Sequence, residues 1–550
     1  MLLSLILLAG GLLRLYYLNA SRWLVEGDEA AVGLQALQIL RGEHPIFYPG
    51  QAYLGNLESY LVAAVFALTG ASALALRVVP FLFALVFIYL CYHLGAELFQ
   101  DERVGLFAAL FAAVAPVYFV MWSVKARGGY IEALVLAQLA LLWFQRWLSP
   151  VRDRELPQLQ STGRLALVPP FLFGLIAGYA LWMNPITVYV LASIAVILTF
   201  HGLVGLFGAQ ARGRAIRLAA SAALGAGIAL LPLLLFRIAY GDGMLARLAT
   251  DAPPQDSWGD LAAQVWQYFW RDGLPTLLGL RGPKDSPFAL DGRIIVVPVY
   301  AAALLWVITG ARRAALIASS LRFAGDEPRT WLGLAFLPLM ALVAFPIFAF
   351  GSITGGNFLV IIPDSGLLTR YLLPLYLLLV LALGLLCASL RTPGWLLLLL
   401  VVLGTNLWSV AGADAVALAR SEFANQPLPA NNDSLLAFLD SHDAHFIYTN
   451  HWIGYVLTLE SRERVVSFDY TDTRYGMDRF PAYSGQVQAS ANPALVVFNP
   501  HFEPNPIDAR LAQLGIRYAK ELLPDFIVYY DFSPRLQPAS LDGVLQWPYY

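Results

Sequence analysis

The chain has 550 residues, 59% of them apolar, 13% aromatic and only 13% charged, against roughly 25% charged in an ordinary soluble domain. This excludes a soluble protein and points to a chain that crosses a membrane several times. A formal charge of −2 hides an asymmetry, because residues 421–550 carry 15 acidic and 8 basic groups while residues 1–420 carry 22 and 27. No nucleic-acid partner is expected.

Charge-free windows bounded by charges, proline or glycine predict about eleven transmembrane helices. They lie near residues 1–18, 78–98, 104–123, 131–147, 165–183, 186–206, 217–237, 294–310, 331–350, 370–390 and 394–412. The apolar start, Met1 to Leu13, lacks a basic leader and is followed by a poor cleavage site at Leu18-Asn19-Ala20-Ser21, so it is expected to be a retained span. The run from Leu165 to Ala211 counts twice because Asn184-Pro185 is a natural break between helices. Cys91 and Cys387 fall in apolar windows, where they are expected to pack as small hydrophobes.

Basic residues set the orientation. Arg146, Arg152, Arg154 and Arg164 cluster in one short connection, Arg212, Arg214 and Arg217 in a second, and Arg312, Arg313, Arg322 and Arg329 in a third. All three fall on one face, which the positive-inside rule makes cytoplasmic. An odd number of spans then leaves the N-terminus in the cytoplasm and residues 421–550 outside. The outer side also receives the loop 19–77, the turn around Met121–Gly129, the loop 240–293 and the segment 351–369. Residues 56–69 are apolar but short and contain Glu58, which suits a helix lying along the interface. Trp258, Trp266, Tyr268 and Trp270 are expected to form an interfacial aromatic belt.

In the last quarter, Asn432-Asp433-Ser434 reads as a helix cap. Phe446–Thr449, Arg464–Phe468, Ala494–Phe498 and Phe526–Tyr530 read as strands and Ile507–Leu514 as a helix. The expected fold is therefore a polytopic α-helical membrane protein, with a transmembrane domain over 1–420 and a C-terminal extracytoplasmic α/β domain over 421–550. The latter has no Gly-rich phosphate loop and no His/Cys ligand spacing, so nothing marks it as catalytic.

Three stretches carry candidate chemistry. Glu26-Gly27-Asp28-Glu29 opens a helical run to Leu40 in the first outer loop. Asp28 can serve there as an N-cap and Glu29 as a partner of the helix dipole. The polar, aromatic patch Gly50-Gln51-Ala52-Tyr53-Leu54-Gly55-Asn56 that follows favours a functional reading. Lys125-Ala126-Arg127-Gly128-Gly129-Tyr130-Ile131-Glu132 places two cations, a glycine pair and a carboxylate in a tight outer turn, an arrangement suited to an anion or to lipid headgroups. Arg370-Tyr371-Leu372-Leu373-Pro374 opens an otherwise charge-free span, where Arg370 is either a snorkelling anchor or an anion partner, with Asp364 close enough in sequence to pair with it.

Taken together, these stretches resemble the membrane-embedded class C glycosyltransferases, in the branch of protein O-mannosyltransferases and bacterial lipid A aminoarabinose transferases. The likeness lies in an apolar first span, the Asp28-Glu29 pair soon after it, the turn Gly42–Pro45, the Leu76-Arg77-Val78-Val79-Pro80 start of the second span and the Arg370-Tyr371-Leu372-Leu373-Pro374 stretch. It covers residues 1–240 well and 294–412 loosely.

The resemblance implies a polyprenyl-phosphate-linked sugar donor, held among membrane lipids, and an acceptor hydroxyl on a glycan, lipid or protein. Asp28 maps onto the family's general base, with Glu29 and Glu132 as supporting acids. Arg370, Lys125 and Arg127 map onto the donor phosphate site, and Gln51, Tyr53, Tyr130 and Tyr371 would line the pocket. A divalent cation, with Asp28 and Glu132 as ligands, is a second way to stabilise the departing phosphate. One base and a good leaving group predict inversion at the anomeric carbon, whereas retention would need two carboxylates ~5 Å apart. The alternative class is a transporter or flippase for a lipid-linked sugar, although ionisable groups near the midplane and paired broken helices are absent from the sequence.

Overall fold

The computed structural model describes residues 1–148, 164–206, 209–240, 258–280, 299–300, 330–350, 366–420, 429, 431–469, 478–498, 506–541 and 543–545. The membrane body opens with α1 (Leu2–Ala20), α2 (Gly27–Leu40), a hairpin of β1 (Phe47–Tyr48) and β2 (Gln51–Gly55), and α3 (Leu57–Thr69). It continues through α4 (Ala73–Phe99), α5 (Glu102–Ala113), α6 (Val117–Trp122), α7 (Tyr130–Leu148), α8 (Val168–Met183), α9 (Val188–Leu206) and α10 (Ala209–Tyr240). After α11 (Trp258–Tyr268) and α12 (Leu274–Leu277) come α13 (Thr330–Phe350), α14 (Leu373–Ser389), α15 (Thr392–Ala411) and α16 (Ala415–Arg420).

Among the described residues, five stretches are long and apolar enough to cross a membrane: Leu2–Ala20, Ala73–Phe99, Ile216–Ala239, Thr369–Ser389 and Thr392–Ala411. Leu57–Thr69, Val168–Met183, Pro185–Thr199 and Ala335–Phe348 are shorter apolar helices. In α1 the lipid-facing stripe is Leu2, Leu5, Leu8 and Leu12, all exposed, while Gly10, Gly11, Arg14 and Tyr17 face inward. All of the window 294–310 except residues 299–300, the arginine cluster 312–329 and Asp364 lie outside the described residues.

The window 104–123 is not one span. It breaks after Ala113, where Ala115-Pro116 stops α5 and α6 restarts the helix. Breaking a helix inside the body exposes carbonyls that need donors. Arg14 donates to the carbonyls of Ala112 and Ala113 at 3.3 and 3.1 Å, and Asn406 donates to that of Val114 at 2.7 Å. Ser409 Oγ accepts from the amide of Val117 at 3.0 Å. The fully buried Arg14 is thus a structural cation. The aromatic belt also divides: Trp266 and Trp270 are exposed, but Tyr268 is buried with its hydroxyl 3.0 Å from that of Thr369. Cys91 and Cys387 are free and buried.

The C-terminal part contains α17 (Asp433–Ser441), β3 (Phe446–Tyr448), α18 (His451–Glu460), β4 (Val466–Phe468), α19 (Pro481–Ala489), β5 (Ala494–Phe498), α20 (Pro506–Gln513), β6 (Arg517–Leu522) and β7 (Phe526–Ser533). Its five strands run in the order β4-β3-β5-β7-β6, with β3 parallel to β4 and β5 and with β7 antiparallel to β5 and β6. All four strands expected from the sequence are present, joined by β6 and by two helices, α18 and α19, that the strand pattern did not announce.

This part is more than an appendage. Ala30 and Leu34 of α2 and Val62 of α3 share one apolar core with Tyr455, Val456 and Phe480 of the C-terminal part. Contact is closest at Gly27, where a Cβ would stand 2.7 Å from the carbonyl oxygen of His451 and the Cα of Trp452. Only a residue without a side chain lets the start of α2 lie on that backbone.

Candidate active site

The N-terminal turn of α2 is built from carboxylates, each with a different task. Glu26, rather than Asp28, is the cap: its side chain and that of Glu29 satisfy each other's backbone amides in a capping box. Glu29 is buried and structural. It pairs with Arg77 at 2.7 Å and accepts from the amide of Ala126 at 3.0 Å, while Arg77 also donates to the carbonyl of Leu24 at 2.5 Å. Arg77, at the start of α4, therefore fastens α2 to the turn before α7. Asp28 is left to face a cavity.

That cavity has a volume of about 40 Å³, and its walls include Asp28, Gln51, Tyr53, Arg127, Tyr130, Arg370 and Tyr371. Seven of the residues singled out in the sequence, from four separate segments, thus meet in one place. Tyr48, Leu54, Gly128, Asn184, Pro185 and Ile186 complete the lining. The Asn184-Pro185 break belongs here because Asn184 both caps the next helical turn, accepting from the amide of Ile186 at 3.0 Å, and donates to the carbonyl of Gly128 at 2.9 Å. Tyr48 supports the wall by donating to the carbonyl of Asp28 at 2.9 Å, and Tyr53 donates to Gln51 at 3.0 Å.

Arg127 and Arg479 clamp the Asp28 carboxylate. Arg127 binds Oδ2 at 2.6 Å and reaches Glu26 at 2.8 Å, and Arg479 binds Oδ1 at 2.5 Å. Burial pushes the Asp28 carboxyl up, but the guanidinium charges, joined by nearby His451, outweigh it and hold the group well below the usual carboxylate range. Arg479 comes from the C-terminal part, which the sequence had not marked for chemistry. Its signal was the basic residue in Asp478-Arg479-Phe480, indistinguishable in the sequence from a surface charge.

Arg370 stands in a cage of aromatic rings, 5.0 Å from the ring of Tyr371, 5.8 Å from Tyr130 and 5.9 Å from Trp122. It donates to the Tyr371 hydroxyl at 3.1 Å, and its Nε has no hydrogen-bond partner. Among the described residues no carboxylate pairs with it. A guanidinium held by ring faces keeps its charge available to an anion.

Two other expected residues do not line the cavity. Lys125 is buried on the far side of Glu26, 3.8 Å from its carboxylate and 5.6 Å from the Trp122 ring. Glu132 is fully buried beside Glu58, which accepts from the amide of Gly129 at 2.9 Å. The expected cation site of Asp28 and Glu132 therefore does not form: guanidinium groups occupy both oxygens of Asp28, and Glu132 is behind the Gly128-Gly129 turn. Among the described residues no group of three or more His, Cys, Asp or Glu is placed to hold a metal ion.

No family model and no curated protein matches the chain. Among solved structures it is similar to ArnT from Cupriavidus metallidurans bound to undecaprenyl phosphate, with TM-score 0.56 and 12% identity over 96% of this chain and 97% of that one. The apo state of that protein gives TM-score 0.54 and 13% identity over 92% and 94%. An oligosaccharyltransferase from Archaeoglobus fulgidus in complex with zinc and sulfate aligns at TM-score 0.48 and 15% identity, over 96% of this chain and 73% of that one, too low to carry an argument. Over nearly the whole of both chains, then, this protein has the fold of ArnT.

Proposed function

We propose that the protein is a multi-pass cell-membrane glycosyltransferase that moves a sugar from a polyprenyl-phosphate donor to an acceptor hydroxyl on the extracytoplasmic face. Its N-terminus would be cytoplasmic and its C-terminal domain extracytoplasmic. The observation that carries this reading is the single cavity in which Asp28 meets the cationic groups of Arg127 and Arg370 beside apolar helices. The fold it shares with ArnT, which was solved with undecaprenyl phosphate bound, agrees with it.

A polyprenyl tail stays in the bilayer at ~0.8 kcal/mol per buried methylene, so the enzyme must meet its donor there. The donor phosphate is placed against Arg370, whose ring cage holds the charge in position, with Arg127 next to it. The acceptor oxygen forms a bond to the anomeric carbon, the bond from that carbon to the phosphate oxygen breaks, and the acceptor proton passes to Asp28. The lipid leaves as its phosphate, stabilised by the guanidinium groups, and the sugar inverts.

Two arginines make Asp28 an ionised but weak base. A donor phosphate that draws Arg127 toward itself strengthens that base when it is needed, so donor binding and proton removal are linked.

The test is to incubate the purified protein with a panel of polyprenyl-phosphate sugars and a mixed acceptor pool, and to follow release of free lipid phosphate. Release by wild type, and a loss of ~10²–10⁴-fold in Asp28→Asn with donor binding kept, is the expected result. Release by Asp28→Asn at the wild-type rate would overturn the assignment of the base. Vectorial movement of intact donor without release would point to a flippase.

A further inference from the structure

A second, larger hollow, with a volume of about 490 Å³, lies beside the start of α2, between the end of α1 and helices α17 and α18. Its lining includes Arg22, Glu26, Asn432, Asp433, Trp452 and Glu460. That volume falls within the roughly 300–1,000 Å³ of pockets that hold a drug-sized ligand.

The two hollows share no lining residue but are linked through Arg127. Glu26 lines the second and Asp28 the first, and the guanidinium of Arg127 spans them, 2.8 Å from one carboxylate and 2.6 Å from the other. Trp452 lines the second hollow and has Arg127 5.5 Å from its ring centre. At this point one guanidinium group separates the two spaces.

Their charges differ in sign. The ionic groups of the first cavity are Asp28, Arg127 and Arg370, with Arg479 on Asp28, an excess of positive charge that suits an anion. In the second, with Arg127 already counted in the first, Lys125 balances Glu26, which leaves Asp433 and Glu460 against Arg22, an excess of negative charge.

Its polar groups are also mostly acceptors. Asn432 occupies the N-cap of α17, yet its side chain makes no capping bond. Its Nδ2 donates to Glu460 at 2.9 Å, and its Oδ1 is buried without a partner, the residue being 7% exposed. An unsatisfied carbonyl beside carboxylates requires a donor. Hydroxyl and ammonium groups can supply one, whereas an ionised phosphate or carboxylate cannot.

Resting on the glycosyltransferase reading, we infer that this second hollow binds the acceptor, and that the acceptor end is an uncharged, hydroxyl-rich glycan and not a phosphorylated glycolipid. The acceptor hydroxyl would then approach Asp28 past Arg127, from the side opposite the donor phosphate, which is the geometry an inverting displacement requires.

The experiment uses the full chain in nanodiscs. Binding of neutral gluco-, manno- and galacto-tetrasaccharides and of their 6-phosphates is followed by ligand-observed NMR, and binding of undecaprenyl phosphate is measured in parallel. At least one neutral tetrasaccharide should bind, its 6-phosphate at least fivefold more weakly. Asn432→Leu should weaken saccharide binding tenfold or more and leave undecaprenyl phosphate binding unchanged. Asp433→Arg, at an exposed position, should narrow the discrimination against the 6-phosphate. The inference is overturned if no neutral tetrasaccharide binds, if the 6-phosphates bind more tightly, or if both variants bind saccharide as wild type does. Saccharide binding without any undecaprenyl phosphate binding would sink the lipid-donor reading and leave the hollow as a saccharide site.

Discussion

Arg479 donates to the carboxylate of Asp28 at 2.5 Å across 451 positions of sequence, joining the C-terminal domain to the floor of the cavity. The link has a direct titration consequence. Burial raises the Asp28 carboxyl and the charges of Arg127 and Arg479 lower it further than burial lifts it. Arg479→Gln removes one of those charges, so the carboxyl should titrate at higher pH and the acidic limb of the kcat/KM profile should move upward. Because the folded-state value is depressed, the clamp contributes stability in full above the unfolded value of ~3.9 and loses it as pH falls toward the folded value. Wild type should therefore lose more Tm than Arg479→Gln between pH 4 and pH 2. Coincident pH profiles for the two proteins would refute the linkage.

Arg370→Lys keeps the charge but gives up the planar group that fits between rings. Cation–π contacts of this kind contribute about 0.5–2 kcal/mol, so donor affinity should fall by roughly threefold to thirtyfold, and Arg370→Ala should cost more. Equilibrium binding of labelled polyprenyl phosphate distinguishes this from an anchor role, in which binding would stay constant.

The Glu29–Arg77 pair is buried at both ends. Removing one partner leaves the other charge without compensation, at a cost of about 3–5 kcal/mol. Glu29→Gln and Arg77→Met should each lower Tm sharply, and the double variant should recover part of the loss. Wild-type stability in Glu29→Gln would contradict the structural role given to this carboxylate.

Gly129→Ala should impair the site without touching a charge. Gly129 has φ +64°, which strains any side chain, and a Cβ there would come 1.8 Å from the Cε of Met183, so the end of the Met183 side chain must also swing aside. Since the neighbouring Arg127 and Gly128 line the cavity, turnover should fall by an order of magnitude or more with the Tm lowered. Gly129→Ala with Met183→Ala should regain part of the packing loss but not the strain of the positive φ, and the difference between the two variants measures each.

Most of the cavity was legible in the sequence because its residues sit where polarity interrupts apolar windows: Asp28 after the first span, Arg127 before the fourth, Arg370 at the start of a late one. What was hidden falls into two kinds. Glu26 and Asp28 both have the composition of a cap, and only the backbone decides that Glu26 closes the box while Asp28 turns outward. Arg479 and Trp452 act from a distant part of the chain, and pairing across hundreds of residues leaves no local periodicity to read. The break between α5 and α6 was masked for a related reason, since Arg14, Asn406 and Ser409 that satisfy it come from other helices. Pro116 was the one local sign.

The bare backbone of Gly27, seated on His451 and Trp452, has a consequence for how such a chain can change. A contact that admits no side chain fixes the height at which the outer layer rests, and with it the reach of Arg479. A replacement layer grafted from another protein would have to arrive at the same level and carry its own cation, or the carboxylate beneath would be left with a single partner. The two layers are therefore expected to vary in concert and to resist exchange as modules, which chimeras joined near residue 420 would reveal by failing to fold or by folding without turnover.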